Sequence, residues 1–212
     1  KKLHRIDVRT LPADALESPA VLVVSRLVIT GGSHHRLHEE LTLSGGYLND
    51  KGFRRETTLG VLQGWQEQAS EYSASETLFA ELSQRFVEQE SRILGAVEAR
   101  SKERLRTLET TLANRREKEI NDIHAVLDEL AAGIHRELDD ARAPEQIELW
   151  KEDERQALTR DVESLKRRLE RIPEEKAAEA AAIEQRFQGY SERTFPVAVI
   201  FLLPDSQVGG AT

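Results

Sequence analysis

The stretch that decides the fold is residues 105–138, LRTLETTLANRREKEINDIHAVLDELAAGIHREL. Its apolar residues recur mostly at intervals of three and four, and Arg116 holds the one polar position in the row. This spacing is typical of an amphipathic helix that forms the seam of a coiled coil. The row consists of Leu105, Leu108, Leu112, Ile120, Ile123, Leu127, Leu130, Ile134 and Leu138.

A second apolar row of the same period follows the first. Pro144 lies between the two rows, and proline suits the first turn of a helix but not its interior. We therefore expect one helix to end near Arg142 and the next to begin at Pro144. Pro173, inside the second row, predicts a kink or a short break. The second row consists of Leu158, Val162, Leu165, Leu169, Ile172, Ile183, Phe187 and Tyr190.

The two rows predict an antiparallel helical arm over residues 98–190. Pairing about the turn at Pro144 places Leu127 near Val162 and Lys176 opposite Leu112. The same register brings two basic clusters to one level of the arm. The clusters are Arg115, Arg116 and Lys118 on the first helix, and Lys166, Arg167, Arg168 and Arg171 on the second.

Both ends of the chain carry strand patterns. Residues 21–30 are apolar and largely β-branched, which predicts a strand. Residues 36–43 alternate and predict its antiparallel hairpin partner, which Gly45 and Gly46 should end. Residues 195–203 predict a third strand near the other end of the chain. A small antiparallel sheet therefore needs both chain ends.

Two further helices are expected before the arm, over residues 58–72 and from about Ser75. The predicted fold class is α+β, with the sheet interrupted by a long antiparallel helical-hairpin (coiled-coil) insertion. The expected domains are a small α+β body, residues 1–97 plus 191–212, and the coiled-coil arm, residues 98–190.

The composition of the 212 residues bounds the class of protein. The chain has neither methionine nor cysteine and begins Lys-Lys-Leu, which predicts a fragment of a larger protein and excludes disulfides and cysteine-ligated metals. It has no signal-peptide pattern and no apolar run near 18 residues, so we expect no membrane span. These features are compatible with a cytoplasmic protein.

The chain contains a histidine-rich segment but no motif of a known catalytic type. There is no G-x-x-x-x-G-K-[ST] loop and no G-x-S-x-G elbow, so we expect neither catalysis nor a bound cofactor in this chain. His34, His35 and His38, beside Glu39 and Glu40, contain donors that zinc accepts. Their spacing fits no standard helical motif, and an exposed hairpin is the favoured alternative to a metal site.

The arm has 18 lysines and arginines against 23 acids, a net charge of −5. An acidic surface is a poor phosphate clamp, because cationic contacts dominate DNA binding. The two basic clusters are candidates for a contact with nucleic acid or an acidic partner, and surface ion pairs are the favoured alternative. Trp150 is a candidate partner anchor at the tip of the arm, unless it is buried against Leu138 and Ile134.

Three passages together carry a family resemblance: residues 115–120 (RREKEI), 165–175 (LKRRLERIPEE) and 193–204 (RTFPVAVIFLLP). Over about residues 100–204 the chain resembles the C-terminal region of bacterial Swi/Snf-related superfamily-two helicases. The resemblance is to the helicase-like protein of the DISARM anti-phage systems and, distantly, to the RapA/HepA group.

The resemblance implies a parent protein that is an ATP-driven DNA helicase or translocase in anti-phage defence. Its ATP and Mg²⁺ would be bound by recA-like motor domains, and none of the catalytic motifs of that family matches a position in this chain. The implied role is accessory: docking to the motor domains of the same parent chain, to other protein subunits, or to DNA. The alternative is a structural coiled-coil interaction module unrelated to helicases.

Overall fold

A computed structural model describes residues 5–141 and 152–208, without the side chain of Glu154. These residues divide into two compact units. Residues 5–30, 34–109 and 190–208 form the sheet unit. Residues 31–33, 110–141 and 152–189 form the hairpin unit. The division falls between Glu109 and Thr110, some way beyond residue 98, where the sequence analysis placed the start of the arm.

The sheet unit is built on six strands in the order β4-β3-β2-β6-β1-β5. The strands are β1 (Ile6–Leu11), β2 (Ala20–Thr30), β3 (Arg36–Asn49), β4 (Gly52–Arg55), β5 (Ser70–Glu71) and β6 (Ser191–Pro204). The α-helices among the described residues are α1 (Leu59–Gln68), α2 (Glu76–Asp140), α3 (Glu152–Arg186) and the short α4 (Asp205–Val208).

The central strand β2 joins the two ends of the chain. It pairs antiparallel with β3, where Val24 faces Leu43, and antiparallel with β6, where Val24 faces Ala198. These are the three strands that the sequence predicted, and the α+β fold with its helical insertion is confirmed. The sheet is nevertheless mixed rather than purely antiparallel, because β1 pairs parallel to β6. The sequence analysis missed β1, a short strand.

The sequence analysis expected Gly45 and Gly46 to end the second strand, and this is wrong. β3 continues through them to Asn49. A Cβ atom at Gly45 would lie 2.1 Å from the carbonyl oxygen of Val21, and one at Gly46 would lie 2.1 Å from that of Arg54. The glycines therefore allow the neighbouring strands to approach closely, which is the other reason for glycine within a strand.

Each face of the sheet is covered by one helix. On one face, residues of β1, β2, β3 and β6 pack against the first part of α2. On the other face, Leu62 and Trp65 of α1 pack against Leu11, Leu22 and Leu202. The indole Nε1 of Trp65 donates a hydrogen bond to the carbonyl oxygen of Ala15 at 3.2 Å, so its polar atom is satisfied.

The long helix begins where the sequence predicted. The hydroxyl oxygen of Ser75 accepts a hydrogen bond from the amide of Leu78 at 3.3 Å, as an N-cap does. The helix α2 then continues as one element of 65 residues. Its buried face in the sheet unit includes Leu82, Ile93 and Val97, each at most 4% exposed.

The hairpin unit has an apolar seam between α2 and α3. Its buried members are Leu127, Ile134, Leu138 and Ile172. Two ion pairs show the register of the helices: Lys176 Nζ bonds the carboxylate of Asp128, and Arg186 Nη2 lies 2.6 Å from Glu119 Oε2.

The expected register of the hairpin is wrong. Lys176 pairs with Asp128 rather than facing Leu112, a displacement of roughly four helical turns. Rows that repeat every three or four residues can mesh in several registers, so their period alone does not choose among them. The expected turn residues, Arg142 and Pro144, lie outside the described residues.

Of the expected kink or short break at Pro173, the break is wrong, because α3 is continuous from Glu152 to Arg186, and the kink stays a prediction. The residue before the proline, Ile172, is only 3% exposed and packs in the seam with Leu127. Packing of this side chain offsets the helical hydrogen bond that proline cannot donate.

In residues 5–141 and 152–208, no helix is long and apolar enough to cross a bilayer.

We predict that Leu127→Asp lowers the free energy of unfolding by about 3 kcal/mol or more, because it places an unpaired charge in the seam. Urea unfolding followed by helical circular dichroism measures the change. Val126→Asp is the matched control, since the neighbouring Val126 is 60% exposed. Equal effects of the two substitutions would contradict the seam.

We also predict that Pro173→Ala raises the free energy of unfolding by about 1–3 kcal/mol, because alanine restores a donor inside α3 and favours the helix. Thermal unfolding at matched concentrations checks this. Glu174→Ala, at the next exposed position, serves as the control and should change stability by only a few tenths of a kcal/mol. A destabilised Pro173→Ala variant would show that the proline is required.

Candidate functional site

The first basic cluster is partly neutralised within the hairpin unit. Arg115 Nε lies 2.9 Å from Glu119 Oε1, and the same carboxylate accepts a hydrogen bond from Arg186. Arg116 and Lys118 are exposed, and neither forms an ion pair with any residue that the structure describes. Two of its three cations therefore remain available at the surface.

The second basic cluster shows the same mixture. Arg168 pairs with Glu175, and Arg167 Nε donates to the carbonyl oxygen of Glu163 at 3.2 Å. Lys166 and Arg171 are exposed and form no ion pair within the described part of the chain.

The sequence analysis expected the two basic clusters to lie at one level of the arm, and the structure does not bring them together. Glu119 beside Arg115 is level with Arg186, whereas Arg168 lies beside Leu130 and Glu137 of α2. The clusters are separated by roughly 27 Å along the hairpin at 1.5 Å per residue. The register of the seam is the physical cause, and no continuous basic surface results from it.

The candidate anchor Trp150 lies outside the described residues. The three candidate metal ligands fall around the turn between β2 and β3. His34 and His35 are exposed, and His34 has a backbone φ of 59°. His38 Nε2 lies 3.2 Å from Glu40 Oε2. Within residues 5–141 and 152–208, no three histidine, aspartate or glutamate side chains are grouped to hold a metal ion.

The carboxylate beside His38 belongs to an ion pair within the sheet unit. Glu40 accepts hydrogen bonds from Nε and Nη2 of Arg104, the second at 2.9 Å. The bond from Arg104 lowers the pKa of Glu40, an effect that partial burial opposes and His38 assists. This fork fixes a residue of β3 to a residue of α2. It is a structural pair of the sheet unit.

An apolar groove lies on the surface of the hairpin unit, with a volume of about 490 Å³. We call it the hairpin groove. Val126 is 60% exposed and Leu130 is 39% exposed, so both present apolar surface to solvent. The hairpin groove is lined by Val126, Glu129, Leu130, Gly133, Ile134 and Glu137 of α2 and by Leu165 and Arg168 of α3.

Sequence reasoning missed the hairpin groove because it assigned Leu130 to the seam. Val126, Leu130 and Gly133 are spaced by four and three residues, so they form a row of their own beside the seam row. The sequence therefore contained a signal for the groove, because this row widens the apolar stripe of α2 on one side. Its exposure depends on where α3 packs, which the pattern did not fix.

We predict that Glu40→Gln lowers the free energy of unfolding at neutral pH by about 1 kcal/mol or less, because the pair with Arg104 is partly solvated. The folded-state pKa of Glu40 is lowered. Its contribution is therefore fully present above the ordinary pKa of about 4.5 and is lost as the pH falls through the folded pKa.

Urea titrations at a series of pH values measure this difference, which should vanish in acid. Glu67→Gln is the control, since Glu67 is exposed and forms no ion pair with the described residues. A deficit of Glu40→Gln that stays constant down to low pH would exclude the charge pair as its cause.

Comparison of the sequence with protein-family models found no match, and comparison with curated proteins found none either.

Proposed function

We propose that this chain is a non-catalytic accessory domain of an ATP-driven DNA helicase or translocase, and that its hairpin unit docks the motor domains of the parent protein. The resemblance of residues 165–175 and 193–204 to helicase C-terminal regions supports the kind of parent. The hairpin groove is the observation that carries the docking role.

The pairing of the two helices does not depend on the exposed apolar residues of the hairpin groove. Leu127, Ile134, Leu138 and Ile172 already bury the seam between them. Val126 contributes little to that seam, since most of its side chain is exposed. Exposed apolar surface rimmed by charged residues is typical of a protein interaction site.

The rim of the hairpin groove has charges of both signs. Glu129 and Glu137 lie on the α2 side, and Arg168 lies on the α3 side. Rim charges of this kind orient a partner and raise its association rate more than they raise affinity. A protein surface with an apolar centre and mixed charges fits this groove better than a phosphate backbone.

DNA is the second candidate partner of the hairpin unit. Arg116, Lys118, Lys166 and Arg171 are exposed cations that favour it. The net charge of −5 over residues 98–190, and the separation of the two clusters, favour protein as the primary partner. In such a protein the motor domains bind ATP and Mg²⁺, and we propose that the whole protein is cytoplasmic.

The docking test uses the motor domains and this chain produced as separate polypeptides from the complete coding sequence. We predict that Leu130→Asp weakens their association about tenfold or more, as loss of a central apolar contact does. Isothermal titration calorimetry measures the affinity. Val87→Asp is the control, because Val87 is an exposed apolar residue of the same helix, 68% exposed, that lies in the sheet unit.

Two results would overturn this proposal. One is a complete coding sequence that lacks helicase motor motifs. The other is motor binding that Leu130→Asp leaves unchanged. Concentration-dependent self-association that Leu130→Asp abolishes would instead support the alternative, a structural coiled-coil module unrelated to helicases.

A separate titration with labelled duplex DNA tests the second partner. We predict that Lys166→Glu combined with Arg167→Glu weakens any binding and flattens its dependence on salt, because phosphate contacts release counterions. Fluorescence anisotropy at several salt concentrations measures both quantities. Unchanged affinity and salt slope would show that these residues are only a solvated surface.

A further inference from the structure

One side of β3 is open along most of the strand. Its partner on that side, β4, pairs with it only from Gly46 to Asn49. The amide of Glu56 then donates to the carbonyl oxygen of Gly45 at 2.9 Å and closes the ladder. Over residues 38–44, no strand of the described chain lies on this side of β3.

The backbone groups along this edge can be assigned by the alternation of a pleated strand. The carbonyl of Gly45 points to the open side, since it meets Glu56. Every second residue repeats that direction, so Leu43, Leu41 and Glu39 present their N–H and C=O groups outward. No backbone group of the described residues meets them there.

A cleft of about 500 Å³ lies against this edge, entirely within the sheet unit. Leu41 is 70% exposed and Leu59 of α1 is 43% exposed, so both present apolar surface to the cleft, beside the polar Gln63, Gln66 and Glu67 of α1. The lining residues are Val24, Glu40, Leu41, Thr42, Leu43, Leu59, Gln63, Gln66, Glu67, Arg100 and Arg104.

The middle of this edge lacks the features that usually protect an edge strand. Such edges carry charges, prolines or bulges that prevent pairing with other chains. Glu39 is charged and bonds Arg26 and Arg36, which protects the first part of the edge. Leu41, Thr42 and Leu43 carry no charge. Their pairing with β2 continues without a β-bulge.

We propose that the open edge of β3 from Glu39 to Leu43 is a peptide-binding site that takes an extended segment of a partner protein as an added strand. Three residues with outward N–H and C=O groups specify an extended backbone as the occupant. The exposed Leu41 and Leu59 specify apolar side chains at alternate positions of that segment, on its α1 side.

Three of the four charged residues that line the cleft, Glu40, Arg100 and Arg104, are paired, and Glu67 at the end of α1 is the unpaired one among the described residues. Glu40 and Arg104 neutralise each other on the α2 side. Arg100 Nη2 donates to the carbonyl oxygen of Thr57 at 2.8 Å, and Arg100 Nη1 lies 3.2 Å from Glu103. The site is in the sheet unit, so it stands independently of the docking role proposed for the hairpin unit.

The test measures backbone amide exchange in the full chain, with and without a peptide in which valine alternates with threonine between terminal lysines. In the free chain we expect the amides of Leu41 and Leu43 to exchange fast and those of Glu40 and Thr42, which face β2, to exchange slowly. Saturating peptide should slow Leu41 and Leu43 about tenfold or more, because they gain partners.

Fluorescence anisotropy with the labelled peptide gives the affinity, which we expect in the micromolar range. A peptide of the same sequence with alternate amides N-methylated is the matched probe, since it keeps the apolar side chains but cannot pair as a strand. Leu41→Lys should weaken binding about tenfold or more by charging the edge. Val87→Lys, at an exposed valine outside the cleft, should leave it unchanged.

Three outcomes would overturn the proposal. The first is equal binding of the N-methylated peptide, which would mean that only apolar contact is involved. The second is unchanged exchange at Leu41 and Leu43 under saturating peptide. The third is protection of these amides by raised protein concentration alone, which would make a second copy of the chain the occupant.

Discussion

The ladder between β2 and β6 is the constraint on which the rest of the structure depends. It runs from Ala20 opposite Leu202 to Thr30 opposite Ser191, and so joins residues far apart in the sequence. Because β2 is central, its side chains are buried on both faces, against α2 on one and α1 on the other. The chain leaves the sheet after β5 and returns to it at Ser191 of β6, so the long helices α2 and α3 are an insertion between two strands of one sheet.

The two proposed contact surfaces differ in what they leave unpaired: the first exposes apolar side chains, and the second exposes backbone N–H and C=O groups. The hairpin groove is apolar side-chain surface left over once the seam is filled, and Val126 shows this by its exposure beside the buried Leu127. The open edge of β3 is backbone left over once β4 has ended at Arg55. A surface of the first kind selects a partner by shape and apolar area. A surface of the second kind selects a conformation, the extended strand, before it selects a sequence.

The sequence predicted those features that depend on local patterns. The apolar run of β2, the alternation after it and the Ser75 cap of α2 were all readable, because each is a property of a few neighbouring residues. The register of the hairpin was not, because the apolar rows mesh in more than one way and the choice depends on the whole seam around Ile172. The same dependence misplaced the basic clusters at Arg115 and Lys166. The hairpin groove and the open edge were missed because exposure is a property of the packed chain.

The closing strand of the ladder has a consequence for the order of folding. Among the described strands of this sheet β6 is synthesised after all the others, and it lies between β2 and β1. Until β6 emerges, β2 and β3 can form their hairpin. β1 cannot yet join that hairpin, because β6 is the strand that lies between β1 and β2. The helices of the hairpin unit, whose contacts are nearer in sequence, are complete before the sheet is. Contacts of long sequence separation form slowly, and unpaired strand edges invite association with other chains. The nascent chain is therefore most vulnerable to aggregation in the interval between synthesis of α3 and synthesis of β6.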